Sequence, residues 1–81
     1  MPDYELTSHA REMLIERNIP EEWIWRVLQN PDKTKLGEDG NRHYFKSIRE
    51  QNGKILHVVI NPNMHPNRVI TLFFDRRAGE R

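Results

Sequence analysis

The 81-residue chain contains no cysteine. That excludes disulfides, thiolate zinc sites and a cysteine nucleophile, and it suits a cytoplasmic location. No apolar run approaches the roughly 18 residues of a membrane-spanning helix. Residues Met1 to Ser8 are polar and carry Asp3 and Glu5, so no secretory leader and no membrane association are expected. There is no glycine-rich phosphate loop and no serine nucleophile elbow. The four histidines, His9, His43, His57 and His65, lack metal-ligand spacing, so neither a metal nor another cofactor is expected. A chain this short builds one core and not two.

Charge of one sign is also lacking overall, since the net charge is +1. No global basic field of the kind that dominates nucleic-acid binding is present. The charges are unevenly placed. Residues 1–31 hold three basic and six acidic side chains, whereas residues 32–81 hold ten basic and six acidic. A basic surplus on the C-terminal half leaves room for a local anion-binding face.

The apolar pattern predicts an α+β domain over residues 1–81, with two N-terminal helices packed on one face of a three- to four-stranded antiparallel sheet. Thr7 or Ser8 caps a helix over about 7–17, in which Ala10, Met13, Leu14 and Arg17 recur at helical spacing. Pro20 opens a second helix to about residue 29, with Glu21 and Glu22 in its first turn and Trp23, Ile24, Val27 and Leu28 along one stripe. Strands follow at about 42–51, 54–61 and 68–75, with a short one possible near Lys33 to Leu36. Asn52-Gly53 marks a hairpin between the first two.

A two-residue turn at Asn52-Gly53 pairs Gln51 with Lys54, Lys46 with Val59 and Ile48 with His57. Tyr44, Lys46, Ile48, His57 and Val59 then share an open face with Val69, Thr71 and Phe73. Phe45, Leu56, Val58, Ile60, Ile70, Leu72 and Phe74 face the helices. His43 and His57 fall on opposite sides. An open face of this composition suits RNA: an aromatic ring stacks on a base, a lysine holds phosphate, and a histidine moves a proton near neutral pH. Trp23 and Trp25 lie about 200° apart around a helix, so one is expected at an interface. This keeps a second reading open, a non-catalytic module that binds a partner protein or a second copy of itself.

Three stretches carry a resemblance to a known family. They are Thr7-Ser8-His9-Ala10 running through Met13, Arg17 and Pro20-Glu21-Glu22-Trp23 to Asn30-Pro31; His43-Tyr44-Phe45-Lys46; and Leu56-His57-Val58-Val59 with Val69 to Arg77. Together the chain resembles DUF4258, a domain of unknown function, which is itself thought to resemble the barnase–EndoU–colicin–RelE group of small ribonuclease toxins. The resemblance implies helices on one face of an antiparallel sheet, metal-independent RNA cleavage from the open side, and an antitoxin-like protein as a partner beside RNA. His9, Arg17, Lys46, Thr71 and the Asp75-Arg76 pair match recurring positions. His57 departs from the pattern, which often has arginine there, and Met13 stands where many members carry a basic residue. The expected roles are proton transfer or phosphate contact for His9, Lys46 and His57, and RNA contact for Arg17, Tyr44, Thr71 and Arg76.

Overall fold

The computed structural model describes residues 4–63 and 67–75. In chain order the elements are β1 (Tyr4–Leu6), α1 (Ser8–Glu16), α2 (Glu21–Gln29), β2 (Lys33–Leu36), β3 (Arg42–Ile48), a 3-10 turn (Arg49–Gln51), β4 (Lys54–Asn61) and β5 (Asn67–Phe74). The strands form one sheet in the order β1-β5-β4-β3-β2. β1 runs parallel to β5 and the other pairings are antiparallel. The sheet is therefore five-stranded and mixed, a correction to the expected three or four antiparallel strands. The added strand is three residues long, too short to show a period in sequence. None of the helices among the described residues is long and apolar enough to cross a membrane.

Thr7 joins the first strand to the first helix. Its side chain accepts the Ala10 N–H at 3.1 Å, capping α1. Its hydroxyl also lies 3.0 and 3.1 Å from the carbonyls of Val69 and Ile70, and its own N–H donates to Val69 at 3.2 Å. One residue thus caps the helix and moors it beside β5. At the other end, Asn18 adopts φ 53, and the Ile19 N–H reaches back to the Leu14 carbonyl at 2.9 Å. This left-handed stop turns Ile19 into the core and starts α2. Glu21 and Glu22 occupy the first turn of α2, where the helix dipole favours negative charge.

Both helices pack on the same side of the sheet. Ala10, Trp23, Ile24, Val27 and Leu28 meet Ile48, Leu56, Val58, Ile60, Val69 and Leu72 in one buried cluster. The two tryptophans are both engaged within the chain. Trp23 meets the Phe74 ring edge-on at 6.4 Å, and Trp25 lies against Tyr4 at 6.4 Å while its indole N–H donates to Glu21. β1 supplies the cover for Trp25 that the helix pattern alone left unassigned.

The β3–β4 register corrects the expected one. Ile48 pairs with Lys54, Lys46 with Leu56 and Phe45 with His57. The connection is a 3-10 turn followed by Asn52 at φ 59 and Gly53 at φ +81, closed by Gly53 N–H to the Ile48 carbonyl at 3.0 Å. The expected strand over 42–51 ends at Ile48. Tyr44, Lys46 and Ile48 consequently face the helices, and His43 and Phe45 face away, the reverse of the sequence expectation for β3. The assignments of β4 hold. Along β5, a register shift opposite Val59 and Ile60 puts Val69 into the core in place of Ile70.

Ile48 reports on this register, because a two-residue turn would leave it on the open side and the observed one buries it completely. Ile48→Ala is expected to lower the unfolding free energy by about 2–5 kcal/mol. Ile15→Ala, on a residue that is 78% exposed, is expected to change it by less than about 0.5 kcal/mol. Urea midpoints of the two variants check both values.

Candidate functional site on the open face of the sheet

Two cross-strand rows lie side by side on the face that the helices leave uncovered. One runs Lys33, Phe45, His57, Phe73 and the other Lys35, His43, Val59, Thr71. In the first row His57 sits between two phenyl rings, 4.2 Å from Phe45 and 4.7 Å from Phe73 by ring centres. The Lys33 ammonium lies 5.6 Å from the Phe45 ring centre. This enclosure buries His57, which is 8% exposed although it lies on the open side.

Both nitrogens of the buried ring have partners. His57 Nδ1 lies 3.1 Å from Asp75 Oδ2, and His57 Nε2 lies 2.8 Å from His43 Nδ1. A carboxylate accepts only, so His57 carries its proton on Nδ1. Its Nε2 is then an acceptor, and the His43 Nδ1–H donates to it. The other nitrogen of the His43 ring, Nε2, lies on the outer side, 3.5 Å from Asp39 Oδ1. Asp75, the residue after β5, is fixed by its own N–H to the Ile55 carbonyl at 2.8 Å. The result is a chain Asp75–His57–His43 whose end opens into a cleft of about 550 Å³, bordered by Lys35, Leu36, Glu38 and Asp39.

Burial pushes the His57 pKa below its ordinary value of 6.5; the Asp75 hydrogen bond opposes this, and nearby His43 adds to it. His57 is therefore neutral at neutral pH, which makes its Nε2 the acceptor from His43. Asp39 sits in the turn between β2 and β3, where the Asn41 N–H donates to Oδ1 at 2.9 Å and Asn41 Nδ2 donates to Oδ2 at 3.2 Å. The Asn41 N–H, foremost, holds the Asp39 carboxyl below the usual carboxylate range.

The residues expected from sequence fall in three places. His57 and Thr71 are on the open face. His9 joins Thr71, with Nε2 3.2 Å from the threonine hydroxyl, because α1 lies along β5 beyond the end of β1. Tyr44 and Lys46 are on the helix side. Tyr44 packs against the core, as Tyr4 does, and Lys46 donates to the Asn30 carbonyl at 2.9 Å and reaches Asp32 at 3.4 Å. The Ser47 N–H, with Lys46 beside it, holds the Asp32 carboxyl low. Lys46 thus ties the end of α2 to β3, away from the histidines. Arg17 is exposed at the C-cap of α1. Arg76 lies outside the described residues. Sequence reasoning did not select His43 or Asp39 for the site, because the two-residue turn turned His43 inward. The signal for them was the spacing of Tyr44 and Ile48, which a core-facing Ile48 would have read correctly.

The fold and this face define a small α+β domain with helices covering one side of a mixed sheet and an acid–histidine chain on the other. The chain belongs to the DUF4258 family, a domain of unknown function, whose family model matches residues 6–74. No curated protein and no solved structure matches it.

The depressed His57 pKa has a fixed sign in stability. The unfolded chain takes up a proton at the ordinary 6.5, and the folded chain only at lower pH. The contribution is therefore fully present above 6.5 and is lost as pH falls from there through the folded value. Urea midpoints measured from pH ~8 down to ~5.5 should decline in that direction. His57→Phe, which keeps the ring stack, should flatten the slope; an unchanged slope would assign the acid sensitivity elsewhere.

Proposed function

We propose that this chain binds single-stranded RNA on the open face of its sheet and cleaves it without a metal ion, as a small protein of the ribonuclease-toxin-like kind. The observation that carries this reading is the Asp75–His57–His43 chain, with His43 Nε2 at the border of a cleft and Lys33 and Lys35 exposed on the neighbouring strand. Metal-independent cleavage of RNA uses the neighbouring 2′-hydroxyl as nucleophile, and needs groups that move protons and cations that hold the phosphate. A histidine oriented by a second hydrogen-bonded group is suited to proton transfer, since its tautomer is set in advance.

Lys33 and Lys35 are exposed on β2 and project on the same side as His43. They are the phosphate-contact groups in this reading. Phe45, half buried beneath Lys33, offers a ring edge for a base. His9 and Thr71 extend the polar face toward β5 and serve as a second contact for the strand. The resemblance to the ribonuclease-toxin group supports the same reading from sequence. Lys46 takes no part in it, since the lysine is bound to Asn30 and Asp32 on the other side.

Cleavage of an end-labelled single-stranded RNA in excess chelator tests the proposal. Wild type should cut the RNA and leave the matching DNA intact. His43→Gln should slow cutting by at least about 100-fold, the usual weight of a general acid–base group. Lys46→Ala should cut at the wild-type rate within about 3-fold, while losing about 1 kcal/mol of stability, read as a melting point lower by about 4–8 °C. Equal cutting by wild type and His43→Gln would overturn the assignment.

A further inference from the structure

We propose that the outer edge of β2 docks an extended acidic segment of a partner protein. The segment joins the sheet as an added strand, bonded to the backbone of Thr34 and Leu36, with carboxylates set against Lys33 and Lys35. This edge stands apart from the RNA reading, though both use the same two lysines.

Backbone register decides which groups face outward. β2 ends the sheet and pairs on one side only, with β3. The Gly37 N–H donates to the Asn41 carbonyl at 2.9 Å, which makes residues 37 and 41 a hydrogen-bonded pair. Antiparallel partners alternate between bonded and non-bonded pairs. Lys35 with His43 and Lys33 with Phe45 are therefore the bonded pairs of β2. The Asp32 N–H, 2.8 Å from the Phe45 carbonyl, turns to the same side. The N–H and C=O groups of Thr34 and Leu36 point the other way, and among the described residues nothing pairs with them. The two residues lie about 7 Å apart, the repeat at which a neighbouring antiparallel strand offers its own groups.

The side chains define what that strand carries. Residues opposite Lys33 and Lys35 take non-hydrogen-bonded positions, where cross-strand side chains come closest. Both lysines are exposed, and among the described residues neither has a carboxylate partner. Acidic side chains at alternate positions match them. A second copy of this chain does not, because its own β2 sets lysine against lysine. Asp32 and Asp39, near the two ends of β2, are already engaged by Ser47 and Lys46 and by Asn41. Glu38 lies past Leu36, beyond the acidic positions of the segment. Leu36 is 69% exposed, and an apolar residue opposite covers it. Run antiparallel to β2, the segment reads apolar, acidic, β-branched, acidic. The lysines thus turn away strands of other composition and admit this one.

The test titrates the isotope-labelled full chain with the capped peptide Ser-Leu-Glu-Thr-Glu-Ser and follows backbone amide shifts. Shifts at Thr34 and Leu36 should saturate below about 1 mM peptide and weaken with added salt. The same peptide N-methylated at its threonine keeps both charges but cannot donate to the Thr34 carbonyl. It should bind at least about 5-fold more weakly. A chain carrying Lys33→Glu together with Lys35→Glu should reverse the choice, preferring Ser-Leu-Lys-Thr-Lys-Ser over the acidic peptide by about 10-fold.

No saturation by about 1 mM would overturn the docking edge. An N-methylated peptide that binds as tightly as its parent would overturn strand addition and leave charge attraction alone. A charge-reversed chain that still prefers the acidic peptide would overturn the role of the lysines. Shifts at Thr34 and Leu36 on concentrating the chain without peptide would give the edge to a second copy and overturn the acidic occupant. None of these readouts involves RNA, so the two readings fail separately.

Discussion

The way β4 folds back on β3 decides what the open face is made of. A chain in extended conformation has only two faces, so one shift of register by an odd number exchanges them completely. The competing solutions at Asn52-Gly53 differ by such a shift. In the tighter one, Ile48 would point to solvent and Ser47 into the core. In the observed one, Ile48 is fully buried and Ser47 is exposed. Burying an isoleucine stabilises by about 1.5–3 kcal/mol, whereas a left-handed Asn52 and Gly53, present in the observed turn, would be needed in the two-residue turn as well and so favour neither. The longer turn also brings Glu50 into a two-pronged pairing with Arg26 at 2.8 and 3.1 Å, which ties the hairpin to α2. Core burial therefore outweighs the local preference for a two-residue turn, and His43 is brought next to His57 as a consequence.

A histidine at the centre of that face is costly to bury unless it stays neutral and keeps both nitrogens bonded. His57 meets both conditions. Its rings on either side are hydrocarbon, and its two nitrogens face Asp75 and His43. Among the described residues no buried side-chain nitrogen or oxygen lacks a partner. The carboxylate at one end gives the chain of bonds a direction, because it only accepts: the His57 proton sits on Nδ1, and the Nε2 of the neutral ring accepts from His43. Asp75 follows directly on β5, and its carboxylate is as well placed as the strand end that carries it. The sheet thus holds the orientation of a His43 ring that borders the cleft, the kind of support that a site on a rigid element has.

The helices were legible from their caps and stripes: Thr7, Pro20, the glutamates after it, and the row from Trp23 to Leu28 all act as the sequence suggests. The faces of β4 were legible too, because Leu56, Val58 and Ile60 alternate cleanly. β1 was not, since three residues carry no period and its pairing depends on Arg68 and Val69, more than sixty residues away. The site was half legible. His57, Thr71 and His9 are on or beside the open face, but Tyr44 and Lys46 were assigned to it by a turn rule that tertiary burial overrode. His43 was lost for the same reason. Asp39 looked like an ordinary turn residue, and only the fold shows that its carboxylate lies against a histidine.

The near-zero net charge of the chain is compatible with a nucleic-acid ligand when the charges are sorted this finely. β2 is an edge strand that is exposed along its whole length, and lysines at its outward positions discourage pairing with another chain's edge. The same two lysines lie beside a cleft whose border is acidic. A uniformly basic surface attracts any polyanion, through its phosphates alone. A basic edge against an acidic cleft instead matches a ligand that carries negative charge on one side and hydrogen-bond donors on the other, which is how a ribonucleotide presents its phosphate and its sugar. On this reading the acidic side chains narrow the choice of ligand at some loss of affinity, and strong salt dependence is confined to the few contacts made by the lysine edge.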